Sequence, residues 1–214
     1  MIPTEEQVMI RDMARAFAAE QIAPFAGEWE DKAYFPAEVF KAMGKLGLMG
    51  MTVPEEWGGA GLDYVTYAMA LEEIAAGDGA IAIVMSGHNS VGCMPILEYG
   101  TSAQKEQYLR RLTMGEILCA FALTEAKGGS DASALTTRAV RDDDGYVING
   151  SKQFITTGKN ADLTLVFAVT DPDAGKKGLS AFLVPTTSVG YRVASVEKKL
   201  GQHASDTCQI VLEN

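Results

Sequence analysis

Two short segments carry residue types whose spacing invites chemistry. The first is Phe121-Ala122-Leu123-Thr124-Glu125-Ala126-Lys127-Gly128-Gly129-Ser130-Asp131. An apolar run ends in a hydroxyl and a carboxylate, and two glycines then precede Ser-Asp. Gly128 and Gly129 would let backbone N–H groups approach an anion without a Cβ clash. Ser130 adds a hydroxyl donor, and Thr124 can donate to a ring heteroatom at the strand end. Such a pattern suits a large flat cofactor carrying phosphates. It also suits a glycine-rich surface turn, and no βαβ context makes it a Rossmann fingerprint.

The second segment is Asn149-Gly150-Ser151-Lys152-Gln153-Phe154-Ile155-Thr156-Thr157-Gly158. Asn149-Gly150 supplies the positive φ of a tight turn. Phe154 and Thr156 at i and i+2 share one face of a strand. A ring that stacks on a flavin and a hydroxyl that bonds its edge need that arrangement; a core Phe and an edge Thr would look the same.

Bulk properties exclude other classes. Lys plus Arg is 18 and Asp plus Glu is 28, a formal net charge of −10. Nucleic acid and anionic membranes are repelled by that field. Cys93, Cys119 and Cys208 form no CxxC pair, and with His88 and His203 as the two histidines no metal cluster is expected. Cys119 reads as buried and inert, His88 as a satisfied core residue, and His203 as a surface or packing residue. The N-terminal MIPTEEQVMIRDMARAF is acidic and amphipathic, not a secretory signal. No uninterrupted apolar run of about 18 residues suggests a membrane span. A soluble protein of a reducing compartment is expected: the cytoplasm, or the mitochondrial matrix after loss of a transit peptide.

Helices must position the first part of the chain. Thr4-Glu5-Glu6-Gln7 and Thr101-Ser102-Ala103-Gln104 are capping boxes. Pro36 opens another helix, with Val39, Met43 and Leu46 on its face and Gly47 ending it. Tyr67, Leu71 and Ile74 mark a further helix whose Glu72 and Glu73 read as a solvated face. Residues 80–98 form a buried one. From residue 118 short strands take over: Cys119–Leu123, Arg138–Arg141, Tyr146–Asn149, Phe154–Thr156, Thr164–Val169, Ser180–Val184, Tyr191–Val193 and Gln209–Leu212. Asp142-Asp143-Asp144-Gly145 reads as a hairpin turn. The fold expected is α+β: an all-α helical domain over residues 1–115, then an antiparallel β-sandwich or barrel over 116–214. Its last strand is expected to be incomplete, with an exposed edge.

Taken together the segments resemble the acyl-CoA dehydrogenase family. TEAKGGSD and NGSKQFITTG are similar to the family's TEPGAGSD-like and NGxKxWITNG-like segments, in the same order. Val53-Pro54-Glu55-Glu56-Trp57-Gly58-Gly59, Tyr99-Gly100-Thr101-Ser102-Ala103-Gln104-Lys105 and Leu200-Gly201-Gln202-His203-Ala204-Ser205-Asp206 resemble further family segments, collinear along the chain.

The resemblance implies FAD as cofactor. It places Phe121, Leu123, Thr124, Gly129 and Ser130 at the flavin and its phosphates, with Ser130 also beside the acyl-CoA thioester arm. Phe154, Ile155 and Thr156 fall on the residues that pack on the isoalloxazine. Phe154 stands where Trp is usual, and Ala126-Lys127 where Pro-Gly is; Lys127 is expected to be solvated. The implied reaction is α,β-dehydrogenation of a fatty or branched-chain acyl-CoA: a carboxylate removes the α-proton, hydride moves to the flavin, and electrons pass to an electron-transfer flavoprotein. A homo-oligomer is implied, a tetramer in the complete protein. The family's C-terminal helical bundle and the base it carries have no counterpart here. No catalytic residue is therefore assigned, Glu125 being scaffold, and the chain alone is not expected to be a competent dehydrogenase. Two other readings stay open: a flavin monooxygenase or oxidase on the same scaffold, or a non-catalytic binding or assembly module.

Overall fold

The computed structural model describes residues 2–143 and 145–214, which form two compact units. Asp144, in the acidic turn read from the sequence, lies outside the described residues.

The first unit runs to Leu118 and takes in Lys199–Ser205, so it includes a segment that the 115/116 boundary left with the β part. Its helices are α1 (Glu5–Phe17), α2 (Ala23–Lys32), α3 (Ala37–Lys45), α4 (Tyr64–Gly77), α5 (Gly79–Gly87), α6 (Met94–Tyr99) and α7 (Ser102–Thr113). Both capping boxes form: Thr4 accepts from Gln7 N–H and Thr101 from Gln104 N–H, while each Gln side chain reaches back to the cap backbone. Pro36 caps α3, and Gly47 takes φ 77° just beyond its end. Leu46, expected on the buried face, is instead exposed because the helix has already ended. Glu73 is not a solvated residue either: its carboxylate meets the Arg15 guanidinium at 2.6 Å, tying α4 to α1.

Two single-turn π-helices were not legible in the spacing. Ala18–Ile22 joins α1 to α2, and His88–Cys93 joins α5 to α6. The second makes Gly79–Tyr99 a run of 21 residues, long and apolar enough to cross a membrane by length and composition. Over half of its apolar window is buried, and Ile81, Ala82, Val84 and Met85 pack with Phe40, Met43 and Ile74, so it is the core helix of this unit. Asn89, in the wide turn, accepts from Met51 N–H and donates to the carbonyls of Leu48 and Met85. The buried amide thus satisfies the Met85 carbonyl at the π turn and two backbone groups of the loop that follows α3.

The second unit spans Cys119–Lys198 and Asp206–Asn214. Its strands are β1 (Cys119–Ala122), β2 (Arg138–Asp142), β3 (Gly145–Thr156), β4 (Leu163–Val169), β5 (Leu179–Pro185), β6 (Tyr191–Val196) and β7 (Thr207–Leu212). Every expected strand is present, but the sheet is mixed. β1 and β2 both run parallel to β4, where antiparallel pairing was expected; β2–β3, β3–β7, β4–β5 and β6–β7 are antiparallel. β7 is no exposed edge: it lies between β3 and β6. Alternation inward of Ala120, Ala122, Val166, Cys208, Ile210 and Leu212 builds the core.

Asn149-Gly150 is not a turn. Tyr146–Asn149 and Phe154–Thr156 belong to one long strand, which pairs with β2 before Gly150 and with β7 after it. Gly150 takes φ 156°, and a Cβ there would fall inside the Thr137 side chain. The glycine thus serves the close approach of two backbones where the strand passes from one partner to the next.

Gly150→Ala is expected to destabilise the chain by about 1–3 kcal/mol, from overpacking against Thr137, as read by chemical denaturation. The two histidines are expected to titrate in opposite directions. Burial holds His88 down to about 4 although its Nε2 donates to the Leu112 carbonyl. His203 is raised, first by the Lys199 carbonyl at Nε2 and also by Glu30 at Nδ1, since two acceptors require both ring nitrogens protonated. His203 therefore adds stability that is full below its ordinary value and lost as pH rises through its raised one. His88 costs stability as pH falls from its ordinary value towards about 4. An NMR titration that put His88 above His203 would contradict both environments.

Candidate functional site

The two chemical segments meet in the second unit. β1 ends at Ala122, and Leu123 and Thr124 continue it into a tight turn closed by Glu125 N–H to Gly128 O and Gly128 N–H to Glu125 O. Across from them lies β3. The Gln153 N–H donates to the Thr124 carbonyl at 2.8 Å, so the strand end and the Phe154 segment are backbone neighbours.

β3 carries a bulge at this point. Lys152 pairs with Ile210 and Ile155 with Cys208, which leaves Gln153 and Phe154 facing one residue of β7. Phe154 sits at φ 57° and is 62% exposed. A left-handed conformation is costly for an aromatic residue, and it persists only where neighbouring structure imposes it. Here the neighbours are Lys152 on one side, 0% exposed, and Ile155 on the other, 2% exposed. With both flanks held inward, the intervening ring is turned outward.

Lys152 is the centre of the arrangement. Its Nζ donates to Glu125 Oε1 at 2.7 Å and to the Leu123 carbonyl at 3.1 Å. The Glu125 carboxylate also accepts from Thr136 N–H, Thr136 Oγ1 and Thr137 N–H. Burial on its own would raise Glu125, but Lys152, Thr136 and Thr137 outweigh it and hold the carboxyl down to about 2. Sequence reading set Glu125 aside as scaffold and overlooked Lys152 and its role. No local signal marked it: regular alternation would put Lys152 on the same face as Phe154, and only the bulge separates them.

The expected site residues divide into two groups. Phe121, Leu123, Thr124 and Thr156 are half-buried, and Gly129, Ser130 and Phe154 are exposed. Phe121 already packs its ring against Phe167, with centroids 5.1 Å apart. No described residue bonds the hydroxyls of Thr124, Ser130 or Thr156. Ile155 stands apart: its side chain lies in the core with Ala120, Val166 and Ile210, so only its backbone could meet a ligand. Gly128 is also corrected. Its N–H is spent on Glu125 and its Cα lies against Leu135 and Ala134, so it is a turn residue and not an anion donor. Gly129 has open space where a Cβ would be. Lys127 is exposed, as expected. Glu55–Trp57, from the first unit's family-like segment, forms a short 3₁₀ turn.

Three unbonded hydroxyls, an outward aromatic ring, an open glycine and the half-buried Phe121–Leu123 surface fit the edge, face and phosphate of a flavin nucleotide.

Comparison with known proteins follows the same division. Residues 4–116 match the family model described as acyl-CoA dehydrogenase, N-terminal domain, and residues 120–214 the model described as acyl-CoA dehydrogenase, middle domain. A short-chain specific acyl-CoA dehydrogenase of Clostridium acetobutylicum is 43% identical over 211 residues, covering 99% of this chain and 56% of that protein. Among solved structures, one described as the electron transferring flavoprotein of Acidaminococcus fermentans has a chain with TM-score 0.97 at 41% identity, covering 100% of this chain and 56% of that one. A glutaryl-CoA dehydrogenase of Mycobacterium smegmatis in complex with FADH2 gives TM-score 0.92 at 34% identity, covering 99% of this chain and 53% of that one. The chain spans about half the length of the curated relatives it matches.

Removing the charge from Lys152 strands a buried carboxylate. Lys152→Met is expected to cost about 3–5 kcal/mol in urea denaturation. In the unaltered chain, the depressed carboxyl of Glu125 contributes stability that is present above its ordinary value and lost as pH falls through about 2. The same acid titration of Lys152→Met should show a smaller component, shifted to higher pH, because Thr136 and Thr137 still bond the carboxylate.

Proposed function

This chain belongs to the acyl-CoA dehydrogenase family, and we propose that it supplies the flavin-facing segments for FAD-dependent α,β-dehydrogenation of an acyl-CoA thioester. The observation that carries this reading is the bond from Gln153 N–H to the Thr124 carbonyl, which brings the hydroxyl-and-glycine segment beside the outward Phe154.

FAD, when bound, supplies the acceptor for the β-hydride. The residues of the chain bind and orient. Phe154 offers a ring face for stacking. Thr124 and Thr156 offer hydroxyls to the ring edge, and Phe121 and Leu123 keep water from it. Gly129 and Ser130 offer a backbone N–H and a hydroxyl to a phosphate, with Ser130 also near the thioester arm. Ile155 takes part through its backbone only.

None of these 214 residues is proposed as the base that removes the α-proton. Glu125 is unsuited: a base works best with a pKa near the operating pH, and this carboxylate is held at about 2 with its lone pairs already committed. Electrons would pass to an electron-transfer flavoprotein, and the chain would act in the cytoplasm or the mitochondrial matrix as part of a homo-oligomer. The short-chain specificity of the Clostridium acetobutylicum relative makes a short acyl-CoA the first substrate to try.

Protein containing this chain is expected to retain FAD through gel filtration, and its flavin colour to bleach when a short acyl-CoA is added without oxygen. Thr124→Ala and Thr156→Ala should each weaken FAD binding by up to about tenfold, the worth of one hydrogen bond. Protein that never takes up FAD would refute the flavin reading. Rapid peroxide formation in place of anaerobic bleaching would move the chemistry to an oxidase.

A further inference from the structure

We propose that Glu125 and Lys152 are positioning residues for the flavin ring, a role that rests on the flavin reading above and goes beyond it. Their pair does not touch the exposed surface. It reaches both segments from beneath.

Lys152 Nζ holds the Leu123 carbonyl at 3.1 Å and Glu125 at 2.7 Å. Leu123 immediately precedes Thr124, and Lys152 stands two residues before Phe154. Between these points runs the Gln153 N–H to Thr124 carbonyl bond. Glu125 carries the restraint onward, since Thr136 and Thr137 bind the same carboxylate. One ammonium group and one carboxylate thus hold three backbone groups beside the bulged strand, at Leu123, Thr136 and Thr137. An apolar pair of similar size could fill the space, but it would have no direction. A buried ion pair is weak evidence for stability, because desolvation cancels much of the attraction. Its directional bonds restrict which alignment of the two segments is allowed, and a flavin ring needs one alignment of face and edge.

The test separates alignment from folding. Glu125→Gln combined with Lys152→Met keeps an acceptor for Thr136 and Thr137 and removes both charges. Four quantities are read for it and for the unaltered chain: melting temperature without flavin, FAD affinity by fluorescence quenching, the visible spectrum of bound flavin, and hydrogen exchange at the Gln153 amide. The expected result is a melting temperature close to that of the unaltered chain, FAD affinity lower by about tenfold or more, a changed flavin spectrum and faster Gln153 exchange. A folded double variant with unaltered affinity, spectrum and exchange would overturn the proposal. Should the double variant not fold, Lys152→Arg keeps charge and donors but alters their reach, and the same shifts are expected from it. Failure of unaltered protein containing this chain to bind FAD would sink the flavin reading, while Gln153 exchange would still report whether the pair aligns the two segments.

Discussion

The Lys152 side chain is fully buried, and that constraint organises the second unit. A lysine buried to this degree must find acceptors or lose its charge. The chain provides a carboxylate and a carbonyl from the end of β1, both within hydrogen-bond reach. In meeting that requirement it draws the end of β1 against β3. The Thr124 carbonyl then becomes available to Gln153, and the tight turn from Glu125 to Gly128 is held in place. The surface residues proposed to face a flavin thus lie beside a buried ion pair that does not reach the surface itself.

The path of β3 follows from the same region. A regular strand would alternate through Phe154 and send either its ring or Ile155 the wrong way. The bulge adds one residue, so Lys152 and Ile155 both face inward and the ring between them faces out. Gly150 makes the preceding bend, because any side chain would meet Thr137. β7 covers the second half of the bent strand and is itself covered by β6. A bulge beside an aromatic residue in a left-handed conformation carries a cost, and such costs concentrate where a side chain must be aimed.

The helical unit obeys an ordinary rule with two local exceptions. Capping residues and apolar spacing account for where α1, α4 and α7 begin and which faces they bury. Asp63, at the start of α4, accepts from Thr66 N–H in the same way. The π turns break that rule. They change which residues face the core after each wide turn, and at the second the Asn89 side chain bonds the Met85 carbonyl.

Much was legible from composition and local pattern. Capping boxes, the change from helical to strand period near residue 118, and nearly every strand depend on neighbours a few residues apart, and short-range physics is written in short-range sequence. The two chemical segments were legible for the same reason, and their collinear likeness to a family added the expectation that they share a ligand. What stayed hidden depends on partners far apart in the chain. The parallel pairing of β1 with β4, the seat of β7 between β3 and β6, and the passage of β3 straight through Asn149-Gly150 are decided by which strands meet. So is the turning inward of Ile155. Lys152 is the clearest case: nothing local distinguishes it from a solvated lysine, and only the tertiary fold brings it to Glu125, where the cost of burying one charge is offset by burying its opposite.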